Sequence, residues 1–226
     1  MSDLTLEELD KDGAIREAHD RIAGDSRGAF LRKAAIGGAA LLGAAARPSG
    51  ADAASPNDVD ILNYALTLEY LQSSFYTETE RIGALKGKAS EAARVVGAVE
   101  RAHVKALRKV LGTSAVKRPT FNFGGTTEDT TRFLKTAVAF EDLAVAAYKA
   151  QAPRIRSRAV LAAAVSIHSV EARHAAWMRR LFGIIPAATA FDQPLSRSRV
   201  ERIVAATHFI GSQGRMVGKG KPRFTG

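Results

Sequence analysis

The feature that most restricts the fold of this chain is an internal repeat. ALTLEYLQSSFY, residues 65–76, aligns with AVAFEDLAVAAY, residues 137–148, so that Glu69 matches Glu141 and a tyrosine closes each segment. Their alanines, leucines and glutamates recur at helical spacing, which predicts two related helices. The chain therefore contains two copies of one helical element.

A second repeat follows the first at the same distance in both copies. ERAHVKALRKVLG, residues 100–112, aligns with EARHAAWMRRLFG, residues 171–183, matching a glutamate, a histidine and a closing glycine. In each copy the glutamate of the second segment lies about 30 residues after that of the first. The sequence thus predicts a duplicated helical hairpin.

Apolar residues at helical spacing predict four long helices near residues 58–83, 89–112, 128–151 and 154–182. A weaker fifth helix is predicted from about Ser196 to Phe209. Helix ends are expected from residue types that favour caps or first turns. The predicted N-caps, C-terminal glycines and first-turn proline are Asp58, Thr126 or Thr127, Gly112, Gly183 and Pro153.

The lengths of the connections predict the topology. Short links near 85–88 and 152–153 make each hairpin antiparallel, whereas 15 residues separate the hairpins from Thr113 to Thr127. Extended at about 3.3 Å per residue, this link reaches roughly 50 Å, more than the roughly 36 Å of a 24-residue helix. We expect an all-α four-helix bundle with a long crossover between the second and third helices.

Each of the later repeats carries a Glu-x-x-His motif. Residues three apart share one face of a helix, so both side chains of each motif can point into the bundle. One such pair alone is more typical of a solvated helix face, but here two pairs occur at matching positions with a matching glutamate upstream of each. The candidate metal ligands are Glu69, Glu100, His103, Glu141, Glu171 and His174.

The absence of cysteine limits the metal. It excludes thiolate zinc sites, iron-sulfur clusters and disulfide frameworks, and mixed oxygen and nitrogen donors suit iron or manganese. Glu69 and Glu141 lie within apolar stretches, and four buried glutamates without cations would cost a large free energy. We therefore expect two iron or manganese ions as cofactors.

Through residues 57–183 the chain resembles the ferritin-like superfamily, especially bacterial exported members related to desiccation-associated proteins. The resemblance implies a ferritin-like bundle in which Glu100 and Glu171 bridge two metal ions. Glu69 with His103 and Glu141 with His174 would complete the two ligand shells. Relatives often carry a second glutamate where this chain has Gln72.

Three further side chains have more than one interpretation. His168, one turn before Glu171, is a hydrogen-bonded helix residue, a hydrogen-bond partner of the metal ligands or an additional ligand. Tyr76 and Tyr148 each follow a candidate ligand by seven residues. They are either core residues with a hydrogen-bonded hydroxyl or functional side chains that hydrogen-bond a carboxylate or act as redox groups near the metals.

The chain divides into residues 1–54, a leader, 55–190, the bundle, and 191–226, a basic extension. Within the leader, Ala34–Ala46 is apolar, small and too short to span a bilayer, as in signal peptides. Before it, SRGAFLR resembles a twin-arginine export motif, with Gly28 in place of the second arginine. We expect export to the periplasm, cell envelope or medium; the alternative is an Ala-rich helix or linker.

These patterns favour a ferroxidase or another di-metal oxidoreductase that reacts with oxygen or peroxide under oxidative or metal stress. The alternative is a non-catalytic, metal-binding stress protein related to desiccation. The net charge of +10 and the basic tail suggest a third function, binding of nucleic acid or of an anionic surface. Export and the few aromatics in the tail disfavour nucleic acid. A homodimer or larger oligomer is compatible with the pattern.

Overall fold

The computed structural model describes residues 54–211, so the export motif, most of the leader and residues 212–226 lie outside the described residues. Its helices are α1 (Pro56–Ile82), α2 (Gly87–Leu111), α3 (Thr130–Gln151), α4 (Arg158–Phe182) and α5 (Arg197–Ala206). The described part of the chain forms no strand beyond an isolated bridge between Phe121 and Ile210. The predicted all-α class is confirmed, including the fifth helix.

The N-caps of α1 and α3 differ from those predicted. The hydroxyl of Ser55 caps α1 by accepting from the N–H of Asp58, so the prediction of Asp58 as cap is wrong. Asp129 caps α3. Neither Thr126 nor Thr127 does so, because their hydroxyls donate to the Phe123 carbonyl and the Glu78 carboxylate instead.

Pro153 does not start the fourth helix. It lies in a short 3-10 turn, Ala152–Arg154, and α4 begins only after Ser157, whose hydroxyl caps it. The 3-10 turn ends the third helix and leaves an extended residue, Ile155, before α4. Gly112 and Gly183 end α2 and α4 as predicted, with positive φ angles that glycine adopts most easily.

Side-chain contacts give the directions of the helices. Residues late in α1 contact residues earlier in α2 and α3, and residues earlier in α1 contact residues late in those helices. Between α1 and α2 the pairs are Glu80 with Arg101 and Tyr70 with Arg108. Between α1 and α3 they are Tyr76 with Glu141 and Glu69 with Tyr148. Since α2 and α3 both run antiparallel to α1, they run parallel to each other. The link between them must therefore cross the bundle from end to end.

The crossover follows α1. Asn63 binds the backbone of Ser114 and Val116 near the start of α1, and Arg118 donates to the hydroxyl of Ser74 further along. Two buried phenylalanines of the link, Phe121 and Phe123, insert into the core. The predicted crossover is confirmed, and its own side chains hold it in place.

An aromatic cluster fills one part of the core. The ring of Phe75 lies within 5.4 Å, centroid to centroid, of four other rings, those of Tyr76, Phe123, Phe133 and Phe140. Phe209, after α5, closes the cluster against Phe123 and Phe140. Within residues 54–211, no helix has both the length and the apolar character needed to cross a membrane.

Asp58 joins the two hairpins instead of capping α1. Its buried carboxylate accepts hydrogen bonds from the N–H groups of Arg156, at 2.9 Å, and Ser157, at 3.0 Å, in the segment before α4. Burial raises the pKa of this carboxyl, but the N–H donors outweigh burial and hold the pKa below its ordinary value. The ionised form is therefore the one that the fold stabilises.

We expect Asp58→Asn to lower the free energy of unfolding by about 2 kcal/mol. The substitution replaces one carboxylate oxygen with an NH2 group, which cannot accept the hydrogen bond that the oxygen accepted. Since the pKa of Asp58 is lower in the folded state, its contribution is present above pH ~4 and is lost as pH falls through the folded pKa. Urea unfolding from pH 7 to pH 3 should thus show a difference between wild type and variant that shrinks in acid.

The control is Asp60→Asn, which changes an exposed carboxylate of α1 paired with Arg197. Exposed pairs contribute little, so we expect a change of at most about 0.5 kcal/mol. Equal losses in the two variants would contradict the role of Asp58 as the link between hairpins.

Candidate metal centre

The four long helices bring all six candidate ligands to one place in the bundle interior. α1 and α3 contribute one glutamate each, and α2 and α4 contribute one Glu-x-x-His pair each. The four carboxylate residues are fully buried, and the two histidines are 8% and 6% exposed. These residues are Glu69, Glu100, His103, Glu141, Glu171 and His174.

His103 lies among three carboxylates. Its Nδ1 is 2.9 Å from Oε1 of Glu171 across the bundle, 3.3 Å from Oε2 of Glu69 in its own hairpin, and 3.5 Å from Oε2 of Glu100 one turn earlier. Each distance joins the same imidazole nitrogen to a carboxylate oxygen of a different glutamate. One imidazole and three carboxylates thus converge on one point.

His174 has the same surroundings in the other hairpin. Its Nδ1 lies 2.9 Å from Oε1 of Glu100, 3.5 Å from Oε2 of Glu141 and 3.8 Å from Oε2 of Glu171. The two imidazole centroids are 6.3 Å apart. The sequence repeat therefore reappears as an approximate twofold symmetry of the centre.

Two groups of potential ligand atoms result, each with its atoms within 4.8 Å of one another. One group is Glu69, Glu100, His103 and Glu171, and the other is Glu100, Glu141, Glu171 and His174. Glu100 and Glu171 belong to both groups. The sharing agrees with the bridging roles that the resemblance implies for these two glutamates.

The hydrogen bonding of the buried polar atoms shows whether the centre suits metal ions. Among described residues, these atoms approach one another closely but form no aligned hydrogen bonds: Glu69 Oε2, both carboxylate oxygens of Glu100 and Glu171, Glu141 Oε2, and Nδ1 of His103 and His174. Buried polar groups without partners are rare and costly. Carboxylate oxygens and imidazole nitrogens that converge without hydrogen bonds to one another are suited to bind cations.

The pKa values of these groups shift in opposite directions. Burial raises the pKa of Glu69, and it raises that of Glu141 to about 8. Burial also opposes ionisation of Glu100, but His103 and His174 outweigh it and lower the pKa of that carboxyl. Without metal the centre therefore retains protons, and ion binding must displace them.

The carboxylates of α1 and α3 are each fixed by a tyrosine from the opposite hairpin. The hydroxyl of Tyr148 donates to Oε1 of Glu69 at 2.6 Å, and that of Tyr76 donates to Oε1 of Glu141 at 2.5 Å. Both tyrosines are buried. Their hydroxyls are hydrogen bonded as one sequence interpretation proposed, and each leaves a single oxygen of its glutamate without a hydrogen bond.

We expect Tyr76→Phe and Tyr148→Phe each to weaken metal affinity by roughly 10- to 100-fold, because partners that orient a ligand tune its binding to that extent. Competition with a metal-binding dye would measure the change. Tyr70→Phe is the control, because its hydroxyl contacts Val116 and Arg108 away from the centre. Unchanged affinity in both site variants would contradict the orienting role.

Two residues near the centre show where its halves differ. His168 belongs to neither ligand group, and its buried Nε2 has no hydrogen-bond partner among the described residues. Its counterpart in the repeat is Gly97, which sequence reasoning missed. A Cβ at Gly97 would lie 2.8 Å from Cβ of Tyr76, so glycine permits the close approach of α2 to α1 there.

Comparison with known proteins agrees with this architecture. The ferritin-like domain family matches the chain over residues 57–183, which includes all six candidate ligands and, apart from Pro56, all four long helices. No curated protein matches the chain. With a bundle of this topology and a match over more than half its length, the chain belongs to the ferritin-like domain family.

Proposed function

We propose that this protein binds two iron or manganese ions in the centre and uses them as a ferroxidase or as an oxidoreductase that reacts with oxygen or peroxide. The observation that carries the proposal is the set of buried, converging and unpaired donor atoms. When bound, iron or manganese supplies a change of oxidation state.

The number of open oxygens on each glutamate supports a pair of ions. Glu100 and Glu171 have both carboxylate oxygens without hydrogen bonds, so each can contact two ions. Glu69 and Glu141 have one open oxygen each, because tyrosines occupy the other. Four carboxylates also match the charge of two divalent cations.

The remaining residues have defined tasks in this proposal. His103 and His174 supply one nitrogen ligand per ion, and the two tyrosines keep the carboxylates of Glu69 and Glu141 oriented. The apolar shell around the centre excludes water. Protons held by Glu69 and Glu141 without metal leave when ions bind.

Elemental analysis of the purified protein tests metal binding first. We expect two iron or manganese ions per chain in the wild type and none in Glu100→Gln combined with Glu171→Gln, because both ligand groups share these carboxylates. Glu80→Gln, which removes an exposed carboxylate of α1 paired with Arg101, should retain both ions. A wild type without metal would overturn the proposal.

Turnover is measured on the same samples with Fe(II) and hydrogen peroxide. Each of two Fe(II) ions gives one electron to hydrogen peroxide, which takes up two protons and forms two molecules of water, leaving two Fe(III) ions. We expect the wild type and Glu80→Gln to accelerate Fe(II) oxidation above the rate in buffer, and the double variant not to do so. Two bound metals without turnover would remove the catalytic part of the proposal.

The depth of the centre favours a second candidate function, a metal-binding stress protein without turnover. All six ligand residues are at most 8% exposed, so a substrate must pass through packed helices to reach them. In this function the ions would serve to hold the four helices together. The turnover assay separates the two functions, since both require the same metal content.

We also propose that the protein is exported by the twin-arginine route. The support is the sequence SRGAFLR followed by the apolar stretch Ala34–Ala46. Fractionation of a bacterial host that expresses the full chain tests the proposal. A shortened chain outside the cytoplasm is expected, and a full-length chain in the cytoplasm would contradict export.

A further inference from the structure

The centre is nearly symmetric, but one position on its inner face differs between the halves. Gln72 lies three residues after Glu69 and four before Tyr76, so the three side chains share one face of α1. The repeat places Ala144 at the same position of α3, between Glu141 and Tyr148. One half thus presents an amide where the other presents a methyl group.

The side-chain amide of Gln72 is buried, and its N–H group has no hydrogen-bond acceptor within residues 54–211. The residue is 2% exposed, and its Nε2 has no hydrogen-bond partner among the described residues. Unpaired carboxylate oxygens of Glu69, Glu100 and Glu141 belong to the same interior, yet none of them accepts a hydrogen bond from it. A buried N–H donor without a partner costs free energy, so a ligand that satisfies it is the expected reason for its presence.

We propose that Gln72 is a positioning residue that donates a hydrogen bond to a small anion entering the loaded centre on the side of α1. This inference rests on the proposed function. Two trivalent ions carry more positive charge than four carboxylates neutralise, so the oxidised centre attracts an anion. Because Ala144 offers no donor, the anion binds on one side of the approximate twofold axis.

The proposal assigns a class of ligand. The ligand accepts a hydrogen bond, carries negative charge and is only a few atoms long, since the surrounding helices are closely packed. Azide is a suitable probe of this class, because its binding to ferric iron produces a charge-transfer absorption that can be titrated. The readout is an affinity and does not depend on turnover.

The experiment compares the iron-loaded, oxidised wild type with Gln72→Met and Gln72→Glu. Methionine keeps the length of the side chain without a donor, and glutamate keeps its shape without the N–H. We expect both variants to bind azide roughly tenfold or more weakly, as for loss of a hydrogen bond to a charged group. Leu71→Met, on the same helix and also buried, should bind azide like the wild type.

Elemental analysis of each sample separates failure of this inference from failure of the proposed function. Variants that retain the wild-type iron content but bind azide within twofold of wild type overturn the role of Gln72 alone. Absence of azide binding to loaded wild type also overturns it. A wild type that takes up no iron overturns the metal centre itself, and with it this inference.

Discussion

Removal of the bound ions with a chelator is expected to lower the melting temperature of the protein by roughly 20 °C. Free metal at about a thousand times the dissociation constant stabilises the folded state by about 4 kcal/mol per site. Two sites contribute about 8 kcal/mol, and each kcal/mol shifts the midpoint by about 2–4 °C in a domain of this size. The effect is large because the ions bind the folded state, in which the helices bring both ligand groups together, and not the unfolded chain.

Thermal unfolding followed by circular dichroism measures this shift. The control is the double variant Glu100→Gln with Glu171→Gln, which should melt at the same temperature with or without the chelator. The wild type should recover its higher midpoint when metal is restored. A chelated wild type that melts within about 3 °C of the loaded protein would show that ions contribute little to its stability.

The convergence of the six candidate ligands could be predicted because each half of the repeat carries the same pattern. Glu100 and His103 alone are an ordinary helical pair, but Glu171 and His174 at the same place in a second hairpin make a coincidence improbable. The crossover was also predictable, since its length alone decides whether it can traverse the bundle. Both inferences depend on the number of residues between two positions, which can be counted in the sequence.

Contacts between helices could not be predicted in the same way. That Tyr76 binds Glu141 and not Glu69 depends on which helices face each other across the centre. Asp58 has a residue type that suits a cap, but Ser55 takes that role and frees the Asp58 carboxylate for the other hairpin. Where two neighbouring side chains could form the same hydrogen bond, only the tertiary structure decides which of them does so.

The shared glutamates also predict how metal content responds when one half of the centre is removed. Glu69→Gln with His103→Gln leaves the other group intact, namely Glu100, Glu141, Glu171 and His174. We therefore expect this half-site variant to bind one ion per chain. Glu141→Gln with His174→Gln should likewise retain one ion, held by the first group.

The half-site variants also test whether turnover requires both ions. Reduction of peroxide to water takes two electrons, and one ion that changes by a single unit of charge supplies only one. We expect each half-site variant to lose at least tenfold in the rate of Fe(II) oxidation by peroxide while keeping half of the metal, a barrier increase of about 1.4 kcal/mol or more. Loss of both ions from either variant would show that the two groups bind metal only as a unit, and an unchanged rate with one ion would show that a single site carries the reaction.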